Sequence, residues 1–362
     1  MKKFVWFMTL VLAFSLVLSA CGTPATQAPA PTQAPATVAP ATEAPATEAP
    51  ATAAPTEAPA AGKFRVAVVM PSAKNDLAFS QSMYDALIRI QNDMGGPDKF
   101  EIVLSENMFV VDDAAAAIRD YATQGFNLVI AHGSQYGSSL QEIAPDFPDT
   151  SFAWGTTVDT FGQPNIFAYE AASEEGGFVN GVLAATLTKS KVIGVVGPIE
   201  TGDAKLYIDG FQAGVKATNP AVKVNVNYIG SFSDTALAAE AANTHISAGA
   251  DILTGTAQMV VGAIGKAKEA NVLWFGTQSN QTSLAPEIVV ASQVYHWEVI
   301  LKDMIAKIQA GTLGGESFRI NLANGGEVIE FNPDSKVAAD AKTLAEKTVQ
   351  DIISGATKIT LP

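Results

Sequence analysis

VLWFGTQSNQTSLAPEIVVASQVYHW, Val272 to Trp297, is the stretch whose reading decides the fold. Val272-Leu273-Trp274-Phe275 is a short apolar run of buried-strand type that stops at Gly276 and gives way to the polar run Thr277-Gln278-Ser279-Asn280-Gln281. After Pro286 a second apolar run, Ile288 to Val294, leads through Tyr295-His296-Trp297 into helical spacing at Val299, Ile300, Met304, Ile305 and Ile308. Two strands separated by a polar loop, with no helix between them, imply a chain leaving one sheet and entering another. The stretch is therefore expected to hold both a ligand-facing loop and a hinge.

Working outward, βα units fill the chain on the N-terminal side. Phe64 to Met70 is apolar without alternation, as a strand covered on both faces should be, and the loop from Pro71 feeds a helix with apolar residues at Phe79, Met83, Leu87, Ile90 and Met94. Strands at 100–104, 128–131 and 151–156 alternate with helices at 112–124 and 136–144. After Asn165-Ile166-Phe167-Ala168-Tyr169-Glu170 the pattern restarts, with helices at 173–188, 204–218, 234–248 and 258–270 and strands at 191–196, 222–229, 251–254 and 272–275. Such alternation predicts parallel, doubly wound sheets. The expected architecture is α/β with two similar lobes and three crossings. Lobe 1 takes 63–168 plus 293–318, and lobe 2 takes 169–292 plus 319–362. Lobes joined in this way open and close like a jaw.

In open parallel sheets ligands lie beyond the carboxyl ends of the strands. The loops there are Ser72 to Phe79, His132 to Tyr136 and Trp154-Gly155-Thr156 in the first lobe, and Gly197 to Tyr207, Gly255 to Gln258 and Gly276 to Gln281 in the second. They mix small polar residues with aromatics and amides, which suits a neutral ligand with a flat apolar face. The candidate contact residues are Asn75, Asp76, Phe79, Ser134, Tyr136, Trp154, Thr256, Gln278, Asn280 and Trp297. Phe79 fits either a stacking ring or a helix anchor. Asp76 fits either a ligand acceptor or a helix cap. Trp297, at the start of a helix, fits the cleft or the core, whereas Trp274 inside a strand belongs to the core. His132, His245 and His296 show no ligand spacing, so neither a metal site nor any cofactor is expected.

The N-terminus carries Lys2 and Lys3 ahead of an apolar run from Phe4 to Leu18, the pattern of an export signal over residues 1–20. Leu18-Ser19-Ala20-Cys21 resembles the lipobox of bacterial lipoproteins, which implies a lipid-modified (palmitoylated) Cys21 as the mature N-terminus. An ordinary secretory signal with an incidental cysteine is the alternative. Because Cys21 is the single cysteine, an intrachain disulfide is excluded. Residues 21–62, rich in Ala, Pro and Thr, have too little apolar bulk for a core. As an extended tether they would reach on the order of 100 Å at about 3.1 Å per residue. The formal charge of −14 argues against nucleic acid and against adhesion to anionic lipid. Only Arg65, Arg89, Arg119 and Arg319 follow the tether, few for a phosphorylated ligand.

The folded part resembles the basic membrane lipoprotein family, substrate-binding lipoproteins of ABC importers that include purine nucleoside receptors. The residues that carry the resemblance are Asn75-Asp76-Leu77-Ala78-Phe79-Ser80, Ala171 to Ala185, Lys191 to Gly197, Gly210-Phe211-Gln212-Ala213-Gly214 with Asn219-Pro220, and Gly230-Ser231-Phe232-Ser233-Asp234. It implies a periplasmic-binding-protein-like fold of class I and a lipid-anchored receptor on the outer side of the cell membrane. It also implies a purine base or nucleoside as ligand and ABC permease subunits as partners; a monomer is expected. Two features depart from the nucleoside-binding branch. Gly276-Thr277-Gln278-Ser279-Asn280-Gln281 stands where that branch has an Asp-rich loop, and Tyr295 stands where it tends to have a lysine shortly after the next strand. Trp154 and Trp297 look more like the branch that binds free bases.

Gly265-Lys266-Ala267 is not a Walker loop, and the chain has neither a Gly-x-Ser-x-Gly elbow nor a His-Glu-x-x-His helix, so no enzyme activity is expected. A secreted hydrolase would need paired carboxylates converging on the cleft, and the loops offer Asp76, Glu200 and Asp203 with no second acid close to Asp76 in its lobe. A sugar receptor of the same fold and a ligand sensor for a membrane signalling partner stay open as alternatives.

Overall fold

The computed structural model describes residues 62–335 and 339–362; the signal segment, Cys21 and the tether before Gly62 lie outside the described residues. The strands are β1 (Phe64–Val69), β2 (Phe100–Ser105), β3 (Leu128–His132), β4 (Ser151–Gly155), β5 (Ile166–Ala171), β6 (Val192–Gly197), β7 (Lys223–Tyr228), β8 (Ile252–Gly255), β9 (Leu273–Gly276), β10 (Val289–Tyr295), β11 (Ser317–Ile320) and β12 (Glu327–Phe331). The helices are α1 (Phe79–Asp93), α2 (Val111–Thr123), α3 (Gly137–Ile143), α4 (Ser173–Leu187), α5 (Gly202–Thr218), α6 (Thr235–Ser247), α7 (Val260–Ala270), α8 (Glu298–Gln309) and α9 (Ala339–Ile353).

Two six-stranded sheets result, β11-β5-β4-β3-β1-β2 in lobe 1 and β12-β10-β9-β8-β6-β7 in lobe 2. All pairings are parallel except β10 with β12. The unalternating apolar runs follow from helices on both faces. In β1, Val66 and Val68 pack into one core while Ala67 and Val69 pack into the core on the opposite face. In β6, Ile193 and Val195 face one core and Val196 the other.

The two halves of the Val272 to Trp297 stretch lie side by side. β9 and β10 are parallel neighbours in one sheet, with Val289 opposite Trp274 and Ser292 opposite Gly276, so the chain does not change sheets between them. The loop with a short 3-10 turn at Thr282–Leu284 is long enough to reverse the chain without a helix. The change of lobe comes after Tyr295. β5 likewise runs to Ala171 in the first sheet, and β11 to Ile320. The crossings therefore follow Ala171, Tyr295 and Ile320, a few residues beyond the expected 168, 293 and 318. Strand pairing holds each segment to its sheet up to its last ladder residue.

The helix after the first crossing explains the Gly- and Ala-rich run at 173–187. α4 packs on α5 through glycines: a Cβ at Gly177 or Gly181 would strike the backbone of Tyr207 or Phe211, and one at Gly210 or Gly214 would strike that of Glu174 or Phe178. Only glycine permits so close a backbone approach. Arg319 of β11 ties the first crossing to the third, pairing with Glu170 at 3.0 Å and with Glu174 at 2.9 Å. Among the described residues no helix is long and apolar enough to cross a membrane.

Candidate functional site

The carboxyl ends of the two sheets face each other across a cavity with about 440 Å³ of space not filled by protein atoms. Lobe 1 contributes Pro71, Phe79, Gly133, Ser134, Gln135 and Thr156. Lobe 2 contributes Thr201, Asp203, Ala204, Phe232, Ala257, Gln258 and Gln278. Each follows the end of β1, β3, β4, β6, β7, β8 or β9, as the strand-end rule requires.

The lobes touch around the cavity. Ser279 Oγ donates to the Ala78 carbonyl at 2.8 Å and Gln281 Nε2 to the Leu77 carbonyl at 3.2 Å, joining the loop after β9 to the loop before α1. The Ala171 amide donates to Asp203 Oδ1 at 3.3 Å. A side chain at Gly202 would press on Thr156 Oγ1 at 2.8 Å. The jaw is thus closed.

Phe79 forms one wall. Its ring stacks on His132, with centroids 3.7 Å apart and planes 7° from parallel. His132 is fully buried; its Nε2 lies 3.0 Å from the Phe79 carbonyl and its Nδ1 2.7 Å from the Tyr169 hydroxyl. A carbonyl only accepts, so Nε2 carries the proton and the Tyr169 hydroxyl donates to Nδ1. Burial pushes the imidazole pKa down to about 3, and the ring is neutral at physiological pH.

The acceptors on the other side are underused. Asp203 Oδ2, Gln258 Oε1 and Gln278 Oε1, all on residues that line the cavity, are buried without hydrogen-bond partners; Thr256 Oγ1, two residues before Gln258, is likewise unpartnered but off the lining. Unpartnered buried polar atoms are costly, so their gathering around one cavity points to a ligand that supplies donors. Burial, reinforced by Glu170, raises the Asp203 carboxyl well above its ordinary value.

Of the sequence-derived candidates, Phe79, Ser134 and Gln278 line the cavity. Asn75 is exposed in the loop before α1 and does not line the cavity. The Asp76 carboxylate is consumed by capping: Oδ1 accepts from the amides of Ala78 (2.9 Å) and Gln81 (3.0 Å), and Oδ2 from Ser80 (3.1 Å) and the Ser72 hydroxyl. Four of the ten belong elsewhere. Tyr136 is buried in the core and donates its hydroxyl to the Met108 carbonyl at 2.7 Å. Trp154 stacks on Phe161 and donates to the Gly133 carbonyl at 3.2 Å, supporting the cavity wall from behind. Trp297 is wholly buried and donates to Ser82 Oγ at 2.9 Å. Asn280 is exposed, with its amide bonded to Glu330 at 2.6 Å. Large rings with one polar atom satisfy that atom inside the protein more completely than at a cleft.

Asp203, Phe232 and Gln258 were not among the candidates. Asp203 and Gln258 sit in loops already identified at strand ends. Phe232 sits in the Gly230 to Asp234 loop after β7, and its place at a strand end was the available signal.

A closed two-lobed α/β jaw with a donor-seeking cavity at its strand ends is a solute-binding protein by fold and site. Residues 63–361 match the family described as PnrA-like ABC transporter substrate-binding proteins, and the chain belongs to that family. A purine-binding protein of Brucella abortus is 27% identical over 298 residues, 82% of this chain and 83% of that one. An ABC transporter nucleoside-binding protein of Lactococcus lactis is 26% identical, covering 80% and 86%. Among solved structures, an ABC transporter solute-binding protein from Aeropyrum pernix shares the fold with a TM-score of 0.72 at 19% identity, over 83% of this chain and 94% of that one.

Proposed function

We propose that this protein is a lipid-anchored receptor that captures a purine base or nucleoside outside the cell membrane and delivers it to an ABC permease, without chemical turnover. The observation that carries the ligand reading is the pairing of aromatic walls with unpartnered acceptors. Phe79 from one lobe and Phe232 from the other offer flat apolar surface, while Asp203 Oδ2, Gln258 Oε1 and Gln278 Oε1 lack the N–H donors that a purine edge supplies. The names of the Brucella abortus and Lactococcus lactis relatives support the same class. Anchorage through Cys21, export by residues 1–20 and a tether ending near Gly62 complete the reading, with lobes 63–171 plus 296–320 and 172–295 plus 321–362. In this reading Asn75 and Asp76 shape the loop before α1, Ser134 and Thr256 offer hydroxyls, and Trp154, Tyr136 and Trp297 brace the walls.

The test is a thermal-shift screen of refolded, ligand-free protein against bases, nucleosides, sugars and amino acids. Binding to the folded state alone, at about 100 times the dissociation constant, adds roughly 2.7 kcal/mol. A rise of several degrees with purines is expected. A shift with hexoses and none with any purine would overturn the ligand assignment.

A further inference from the structure

The start of α5 sits at the joint between the lobes. Gly202, its first residue, lies so near lobe 1 that a Cβ there would come within 2.8 Å of Thr156 Oγ1, just beyond β4. Asp203, the next residue, is 4% exposed and lines the cavity. Its Oδ1 accepts from the amide of Ala171, the last residue of β5, at 3.3 Å, whereas Oδ2 is removed from water and has no partner. Ser279 and Gln281 also bond to lobe 1, but neither lines the cavity. Among the described residues Asp203 is thus the lining residue whose side chain bonds to the opposite lobe.

That bond sets an angle. From Ala171 the chain runs directly into α4, and α4 and α5 pack backbone to backbone through Gly177, Gly181, Gly210 and Gly214, which makes the pair one rigid body. A hydrogen bond from the start of α5 to the Ala171 amide fixes this body against β5 and so against lobe 1. The division of the carboxyl holds in either charge state. An amide N–H only donates, so Oδ1 is the acceptor in both, and a proton kept by the raised carboxyl sits on Oδ2, which then donates to a ligand in place of accepting. The amides of Gln258 and Gln278 can turn over to suit either arrangement.

We propose that Asp203 is the positioning residue that couples ligand capture to closure: Oδ2 meets the ligand while Oδ1 holds the first crossing, so an occupied cavity locks the lobes at the closed angle. The inference rests on the purine-receptor reading above. Its driving force is the unpartnered oxygen. Closing on an empty cavity buries Oδ2 without a hydrogen bond, and opening returns it to water. A ligand that pairs Oδ2 removes this penalty from the closed state alone, which is the differential affinity a shift in lobe angle requires.

The experiment is small-angle scattering of refolded protein with and without saturating adenine as the probe, alongside calorimetric titration, for the wild type, Asp203→Asn and Asp203→Ala. The wild type should contract on binding. Asp203→Asn keeps an oxygen for the Ala171 amide and a polar atom for the ligand, so at saturation it should contract as the wild type does, even if its affinity changes. Asp203→Ala keeps neither; it should bind adenine about tenfold or more weakly and stay expanded at saturation. A purely structural role would lower the melting temperature of the ligand-free protein and leave the contraction in place. Contraction of a folded Asp203→Ala protein to the wild-type radius overturns the coupling. So does an Asp203→Asn protein that binds adenine without contracting, a comparison that stands even if Asp203→Ala fails to fold. A wild type that binds adenine and does not contract overturns the coupling and leaves the purine reading intact; one that binds no purine removes both.

Discussion

Phe232→Ala separates binding from stability more cleanly than any other change at the cavity. Phe232 lies in the loop after β7 and is half-buried, whereas Phe79 is 9% exposed and packs into the lobe 1 core. Truncating Phe79 would cost about 3 kcal/mol or more of stability together with any loss of binding. Truncating a half-buried loop residue should cost roughly 1 kcal/mol or less, a fall in melting temperature of about 2 °C. Its ring nevertheless lines the cavity opposite the lobe 1 wall. Stacking of an aromatic side chain on a base is worth about 1–3 kcal/mol, so a middle value of about 2 kcal/mol weakens adenine binding about 30-fold. Titration calorimetry and a thermal melt of the ligand-free variant read the two quantities separately. Unchanged adenine affinity in a folded Phe232→Ala protein would refute a stacking role for the second lobe.

Cys21→Ser should release the protein from membranes while leaving the folded part with its wild-type melting temperature, since the attachment point precedes the tether; retention after a salt wash would count against lipid anchorage. Scattering should show a smaller radius of gyration with ligand than without, as the lobes open about the crossings after Ala171, Tyr295 and Ile320; identical profiles at saturation would exclude a jaw. Burial raises the Glu327 carboxyl well above its ordinary value, against hydrogen bonds from Gln293 and Gly176. Its contribution to stability is thus complete below the ordinary value of about 4.3 and is lost as pH rises through the folded value. Glu327→Gln should therefore flatten the fall in melting temperature towards alkaline pH, and an unaltered slope would show that Glu327 is not the group responsible. Trp297→Ala should lower the melting temperature by several degrees, as loss of a fully buried ring costs about 3–5 kcal/mol; a variant that melts like the wild type yet loses adenine would return Trp297 to the cleft.

The alternation of βα units made the two-lobed architecture legible because unbroken apolar strands and periodic helices each leave a distinct pattern. The order of strands at the hinge was less legible. β9 and β10 look like strands of different sheets because parallel neighbours are normally joined by a helix, and nothing local announces that the 277–288 loop does the same task. The site divided along a similar line. Loop position at strand ends found Phe79, Ser134 and Gln278, since topology alone places them. It could not separate a tryptophan facing the cavity from one facing inward. That depends on whether Ser82 Oγ or Gly133 O lies within reach of the indole N–H, and both partners are distant in sequence. Asp76 has the residue type of a ligand contact, but four hydrogen-bond donors within its own loop and helix start claim it first.

The aromatic residues that do not line the cavity connect its wall to the hinge. Phe79 rests on His132, and His132 bonds to Tyr169 on the last strand before the first crossing. Tyr169 and Tyr295 both meet Trp297 edge-on, with centroids 5.2 and 5.1 Å away, and Tyr295 stands at the end of the last strand before the second crossing. The Tyr295 hydroxyl then meets Ser173 Oγ at 2.6 Å, just beyond the first crossing. Every polar atom along this line has a partner, and the one imidazole in it is neutral at physiological pH. The wall therefore keeps its shape and charge while solution pH varies around neutrality. Asp203, by contrast, has a free acceptor oxygen and a carboxyl raised by burial. The Phe79 side thus presents a fixed apolar surface, and the Asp203 side a buried acceptor oxygen without a hydrogen-bond partner.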